Sequence, residues 1–323
     1  MENAITYKLT EEDSGLYVKE VLQRRFSISS RLMRRIKVSG QIALDGRTAR
    51  LRDKGMPGQI LTVAFPAESS YFEPEDIPLD IVYEDSDLLV VNKQPFLVIH
   101  PTKNYQSGTL ANALAWRLQE RGERWKIRFV NRLDRDTSGL VLVAKNGHAQ
   151  DAVSSQMEAG ATVKKYLALA HGLFEEPEGK IDLPVDKDPD HKARRTVRED
   201  GYPSTTLYRV LQSWDVPDLG PDFAPWTGPE RIGGYSLVEL TLLTGRTHQI
   251  RVHLTHLGHP IAGDELYGQL YGYEAGTDIL NRQALHAWYL KLAQPMTGRP
   301  VELKTAMPSD IAECIERIEK LEH

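Results

Sequence analysis

One cysteine in 323 residues, Cys314, excludes an intramolecular disulfide. It equally excludes zinc or iron–sulfur sites built on several cysteines, and it fits a reducing cytoplasm. No apolar run approaches the ~18 residues that a membrane-spanning helix needs. The opening Met1-Glu2-Asn3-Ala4-Ile5-Thr6 lacks the charged-then-apolar pattern of a secretory signal. Internal repeats and low-complexity tracts are missing too. So is an excess of positive charge: the net charge of −5, taken as one number, argues against a nucleic-acid partner. With 41% hydrophobic and 26% charged residues, the chain has material for one large core or two.

The distribution of charge points the other way. Ser14 to Lys54 holds eleven Lys and Arg against three Asp and Glu, so +8, and the remainder must carry −13. A basic module joined to a more acidic body is the natural reading. In that module, Val18, Val21 and Leu22 are spaced for a short amphipathic helix over Tyr17–Phe26. Ser29 or Ser30 can cap a second helix from Arg31, with Leu32, Ile36 and Met33 inward. Arg31, Arg34, Arg35 and Lys37 then crowd its outer surface. Like charges at helical spacing repel, so the cluster is either a solvated face or a phosphate-binding one. Gly40–Arg47 reads as a strand ending in an Asp45-Gly46 hairpin turn, and Gln59–Phe65 as a closing strand. Ala67–Pro78, acidic and with two prolines, reads as a linker.

The stretch Arg128–Lys145 stands out. Its second half is a continuous apolar run of strand length, and Arg132-Leu133-Asp134-Arg135-Asp136 packs two carboxylates and two guanidinium groups just before it. Charges at the mouth of a buried strand must be paired. By itself the cluster reads as a self-neutralising surface turn or as a site. Further on, Gly147–Glu158 reads as a helix stopped by Gly160, and Val163–Ala170 as a strand with Lys164, Tyr166 and Ala168 on one face. Tyr235–Leu242 alternates as a strand. Thr244-Gly245-Arg246-Thr247-His248-Gln249-Ile250-Arg251 then leads into a helix with Ile250, Leu254 and Leu257 at helical spacing. A cation near a helix N-terminus needs a carboxylate partner, and Asp134 is the candidate partner for Arg246.

Arg-Leu-Asp-Arg-Asp-Thr-Ser-Gly-Leu resembles the signature of the RluA-type pseudouridine synthases, with Asn131 where that family usually has His. Lys164-Lys165-Tyr166-Leu167-Ala168-Leu169, the Thr-Gly-Arg-Thr-His-Gln-Ile-Arg run, His100-Pro101-Thr102 and Thr109–Leu114 agree in the family's order. Gln94-Pro95-Phe96 departs, because the family usually has Gly at the third of these positions. The resemblance implies an isomerase that converts uridine to pseudouridine in structured RNA without a cofactor or metal. It implies Asp134 as the catalytic group, Tyr166 stacked on the target base, Arg246 paired with Asp134, and Arg132 filling the space of a flipped base. Residues 1–66 resemble an S4 RNA-binding domain. The expected architecture is therefore α+β: a small S4-like α/β domain over 1–66, a linker over 67–78, and a catalytic body over 79–323 on a mixed, largely antiparallel sheet. Arg31, Arg34, Arg35 and Lys37 are the expected RNA contacts of the first domain.

Large-subunit ribosomal RNA is the favoured substrate and transfer RNA the alternative. The chain is expected to be a cytoplasmic monomer without membrane contact. Three other readings stay in view. A degenerate synthase body could bind RNA without chemistry. Asp134 and Asp136 could form a glycosidase pair, though residues two apart rarely face each other across a substrate at ~5–9 Å. His253, His256 and Asp264 could hold a metal, a weak signal without a Glu base or Cys. Asp186–Asp200 reads as a charge-dense loop, Leu211–Gly234 as a long surface loop, and Ser309–His323 as a docked C-terminal helix.

Overall fold

The computed structural model describes residues 4–26, 28, 30–39, 41–65, 70–103, 105–216, 233–272 and 279–322. The first unit comprises β1 (Ala4–Lys8), α1 (Val18–Phe26), α2 (Ser30–Ser39), β2 (Gln41–Leu44), β3 (Arg47–Thr48) and β4 (Ile60–Ala64). Its sheet is antiparallel in the order β1-β4-β2-β3. Val18, Val21 and Leu22 of α1 pack with Leu32 and Ile36 of α2 on Ile5, Leu61 and Val63, as the helical spacing requires. Asp45 and Gly46 both take positive φ (49° and 76°), the type I′ conformation that joins β2 to β3. On α2, Arg34 and Lys37 are exposed, whereas Arg35 is half-buried and approaches Gly147 of the body. Ser29, the side chain of Arg31 and residues 67–69 of the linker lie outside the described residues.

The body opens with the hairpin β5 (Asp80–Glu84) and β6 (Leu88–Lys93), followed by α3 (Leu110–Glu120), whose first turn is capped by Thr109. Before it, residues 70–79 run without helix or strand, yet Phe72 and Ile77 pack on the same core as α3. Phe96 takes φ 63°, the left-handed conformation a glycine there would supply freely, so the loop carries local strain. Next come β7 (Arg128–Phe129), β8 (Ser138–Ala144) and α4 (Gly147–Glu158), the last capped by Asn146.

β9 (Val163–His171), β10 (Glu178–Asp182), the small hairpin β11 (Val185–Lys187) and β12 (Arg195–Val197), β13 (Thr205–Trp214) and β14 (Tyr235–Leu242) complete the middle of the chain. The charge-dense loop is thus an ordered hairpin. The loop expected from Leu211 begins later, because β13 runs to the buried Trp214; residues 217–232 lie outside the described residues. The chain ends with α5 (Gln249–His256), α6 (Glu265–Gly268), β15 (Leu285–Ala293), β16 (Pro300–Lys304) and α7 (Ser309–Glu322). Ile311 and Ile318 of α7 are buried on the body, so the C-terminal helix docks.

Among the described residues, ten strands share one sheet, in the order β10-β13-β14-β9-β15-β8-β6-β5, with β16 on β15 and β7 on β8. Among the described pairs only β8–β15 is parallel, and its register is short: His286 opposite Ser138 and Ala287 opposite Gly139. That pair is the seam between the two halves of the sheet. A Cβ on Gly139 would run into the Ala287 backbone, and its φ of 113° is closed to other residues. The glycine lets the seam close. The charged turn before β8 is thereby delivered to the middle of the sheet.

Candidate active site

Asp134 lies in the turn that enters β8 at this seam. The turn is pinned from several elements. The Thr137 N–H donates to the Asp134 carbonyl (3.2 Å), Lys93 Nζ to that of Arg135 (2.9 Å) and Arg282 Nη1 to that of Asp136 (3.2 Å). Gln283 Nε2 reaches the Thr137 hydroxyl at 3.1 Å. Arg282 is itself gripped by both oxygens of Asp310, at 2.6 and 2.8 Å. Asn131 holds the approach to the turn. Its Oδ1 accepts from the Leu142 N–H (2.7 Å) and its Nδ2 donates to the Leu140 carbonyl (3.1 Å). An amide does both at once, so the departure from His costs the turn no support.

The expected ion pair between Asp134 and Arg246 is not the one that forms. Arg251 Nη1 donates to Asp134 Oδ2 at 2.9 Å. The rest of its fork is bidentate to Asp264, at 2.6 and 2.8 Å. The reason is the position of the helix start. α5 begins at Gln249, so Arg251 falls in its first turn on the buried face, while Arg246 stays in the exposed loop before it. The need for a carboxylate at a helix N-terminus holds, for Arg251, and two carboxylates meet it. Burial works to lower the Arg251 pKa, but Asp264 and Asp134 more than reverse it, so the guanidinium is firmly charged. Asp264 is nearly inaccessible and also accepts from the Leu266 and Tyr267 amides (both 3.2 Å), which fixes the fork's orientation.

A second residue faces Asp134. His248 Nε2 is 3.6 Å from Asp134 Oδ2, and its Nδ1 is 3.0 Å from the Tyr267 hydroxyl. That hydroxyl accepts from the Arg195 N–H of β12 at 2.8 Å, which leaves its proton for Nδ1. The His248 proton then sits on Nε2, turned to the carboxylate. Burial lowers the His248 pKa, with the Asp134 charge opposing, so the ring is neutral near pH 7. His248 holds φ 58° to make this approach.

Lys93 has no exposed surface. Burial lowers its pKa to about 7, against the pull of Asp136 and Asp134. The unfolded chain therefore holds the extra proton between about pH 7 and the ordinary lysine value of 10.5. Folded stability contributed by this residue rises with pH over that window. The difference in thermal midpoint between the wild type and Lys93→Met should move in favour of the wild type from pH 7 to 9. A difference independent of pH would show that the amine keeps its charge when buried.

These groups surround a cleft of about 880 Å³. Arg132, Lys164, Arg246 and Arg251 line it against two carboxylates, Asp134 and Glu158, so the cleft is cationic in a chain of net charge −5. Tyr166 lines the cleft with 7% of its surface exposed. Burial, and then the Asp134 charge, raises its pKa well above the phenol range, so it keeps its proton. Arg132 is exposed at the mouth. Asp136 is turned away, held by Arg135 at 2.6 and 3.0 Å, which removes the glycosidase pair. The candidate metal ligands are otherwise engaged: both ring nitrogens of His253 are hydrogen-bonded, to Thr206 and to the Leu183 carbonyl, and Asp264 holds Arg251.

A seam-borne carboxylate, a buried fork holding it, a protonated tyrosine and a cationic rim suit chemistry on a polyanionic substrate. Similarity to known proteins names the class. Residues 87–256 match the family model described as RNA pseudouridylate synthase. An uncharacterized RNA pseudouridine synthase of Bacillus subtilis, YjbO, is 37% identical over 292 residues, covering 89% of this chain and 94% of its own. The ribosomal large subunit pseudouridine synthase D of Nitrosomonas europaea is 34% identical over 330 residues, covering 100% of this chain and 90% of its own. The solved human RNA pseudouridylate synthase domain containing 1 superposes with a TM-score of 0.57 at 28% identity, over 78% of this chain and 97% of that one. The chain belongs to the RNA pseudouridylate synthase family. It is thus an isomerase that converts uridine to pseudouridine in RNA.

Proposed function

We propose that this enzyme modifies large-subunit ribosomal RNA in the cytoplasm, acting as a monomer, with Asp134 as the catalytic group. The ion pair between Asp134 and Arg251, anchored by Asp264, carries the assignment of the site. The substrate class is supported by the names of relatives such as the synthases D of Nitrosomonas europaea and Xanthomonas campestris, the latter 38% identical over 291 residues.

The reaction must break the bond from uracil N1 to C1′, turn the ring, join C5 to C1′, and then release the C5 proton to water while N1 takes one up. Asp134 attacks C1′ or removes a proton from the sugar. Arg251 keeps the carboxylate ionised and aimed. As the detached uracil gains negative charge, Lys164 stabilises it in the cleft. Tyr166 supports the ring, and its retained proton makes it a donor rather than a base at the outset. Arg132, exposed at the mouth, fills the space left by the extruded nucleotide. RNA carrying tritium at uridine C5 should release it to water when incubated with the purified chain. No release from ribosomal RNA transcripts under conditions where a known synthase works would overturn the reading.

The first unit is read as an S4-like RNA-binding domain. Its two helices on a small sheet, and the exposed Arg34 and Lys37 of α2, support this; Arg35, half-buried toward α4, contributes less, and Arg31 is assigned from the sequence alone. Removing residues 1–66 should weaken RNA binding yet leave single-turnover chemistry measurable at saturating RNA. If the unit neutralises about five phosphates, the slope of log affinity on log salt becomes shallower by roughly 3 to 4 units. An unchanged slope would mean that the basic face does not meet RNA.

A further inference from the structure

We infer that Tyr202 and Arg246 form a second nucleotide subsite at the rim of the cleft, one that stacks a base flanking the target uridine. The inference rests on the reading of the cleft as an RNA-isomerising centre, but its observations are separate. Tyr202 is 61% exposed, an unusual surface for a tyrosine anchored so firmly. Its N–H donates to the Val185 carbonyl (3.1 Å) and its carbonyl accepts from the Val185 N–H (3.0 Å), so the backbone under the ring is rigid. The Arg246 guanidinium lies over that ring, 5.5 Å from its centroid.

Arg246 is also held at its backbone. Its N–H donates to Gln249 Oε1 (3.0 Å), and the buried Gln249 is tied in turn to Thr205, Thr206 and Thr244. No carboxylate pairs with Arg246 among the described residues, although Arg251, five residues on, has two. An exposed aromatic ring and an unneutralised guanidinium, both on fixed backbone, the guanidinium lining the cleft that holds Asp134 and the ring beneath it, match the two parts of a nucleotide. The ring offers a stacking face to a base, and the cation meets the phosphate that links that base to the target. This assigns Arg246 a place outside the Asp134 ion pair. It also explains why the hairpin of β11 and β12, whose first strand carries Val185, is ordered beside the site.

The test is a binding measurement with fluorescently labelled pentauridylate and with four variants of it, each abasic at one position other than the third. Full-length wild type, Tyr202→Ala, Tyr202→Phe and Arg246→Gln are compared, with circular dichroism to confirm that each is folded. One abasic substitution should weaken wild-type binding roughly tenfold, the scale of a lost base–aromatic stack. Tyr202→Ala should show the same loss with the intact oligonucleotide and no further loss with that abasic one. Tyr202→Phe should restore the wild-type pattern. Arg246→Gln should make the salt slope shallower by about 0.7, one phosphate on a single strand. Equal affinity of wild type and Tyr202→Ala, or the same abasic penalty in both, would overturn the subsite, as would no binding of pentauridylate by the wild type. Tritium release is scored in parallel. Isomerisation without the Tyr202 coupling defeats the subsite alone, and coupling without isomerisation defeats the activity alone.

Discussion

Asp134→Asn should lower the isomerisation rate by at least ~10³-fold while RNA affinity stays within about threefold of the wild type. The two oxygens of the carboxylate do different things. Oδ2 is already committed to Arg251 at 2.9 Å and faces His248 at 3.6 Å, so the other is left for the sugar. An amide in that place keeps the shape but offers neither a nucleophile nor a base. Affinity should if anything rise slightly, because a negative charge leaves a cationic cleft. The fold should survive, since the turn is held by its backbone and by Lys93, Arg282 and Gln283 rather than by the Asp134 side chain. Rate and affinity are measured on one preparation by single-turnover tritium release and by filter binding. Activity within tenfold of wild type would remove Asp134 from the chemistry.

Arg251→Met should be costly in two ways. It leaves Asp264, which is almost fully buried, as an uncompensated charge, and breaking a buried pair in this way costs about 3–5 kcal/mol. It also frees Asp134 from the only cation that holds it among the described hydrogen bonds, so activity should fall by at least ~100-fold in the fraction that remains folded. Arg251→Lys restores charge but cannot span both carboxylates, and should recover stability only in part. Arg246→Met is the matched control for position. It should change RNA affinity and leave the thermal midpoint near that of the wild type, since Arg246 is exposed. Thermal and urea melts and single-turnover rates on all three variants separate the roles. A stable, active Arg251→Met would show that the fork does not organise the site.

Much of this was legible because local signals are strong. An apolar run of strand length after a Thr-Ser-Gly turn reads as a buried strand, and β8 is buried throughout. Helix α4 closes before Gly160, and the Asp45-Gly46 pair turns as such pairs do. Asp134 and Tyr166 are singled out by an unusual motif and a resemblance, and both line the cleft. Which arginine reaches Asp134 was not legible. Arg246 and Arg251 lie five residues apart in one motif, and the choice depends on whether the helix starts before or after Gln249. That start follows His248 in a left-handed conformation, which the hydrophobic spacing does not mark. Asp264 looked like a spare ligand because its partner lies on another element. Lys93, in an apolar strand, gave no hint that its amine would tie down the carbonyl of Arg135, 42 residues away. The parallel join of β8 to β15 is a contact between strands nearly 150 residues apart, and only Gly139 marks it in the chain.

If this chain makes pseudouridine in large-subunit ribosomal RNA with Asp134, the modification map of the cell must show it. The direct measurement maps pseudouridine in ribosomal RNA from cells lacking the gene, and from the same cells carrying either the wild-type or the Asp134→Asn gene. One or more large-subunit pseudouridines should vanish on deletion, return with the wild-type gene and stay absent with the variant. A full set of large-subunit pseudouridines in the deletion strain, or their return with Asp134→Asn, would contradict it.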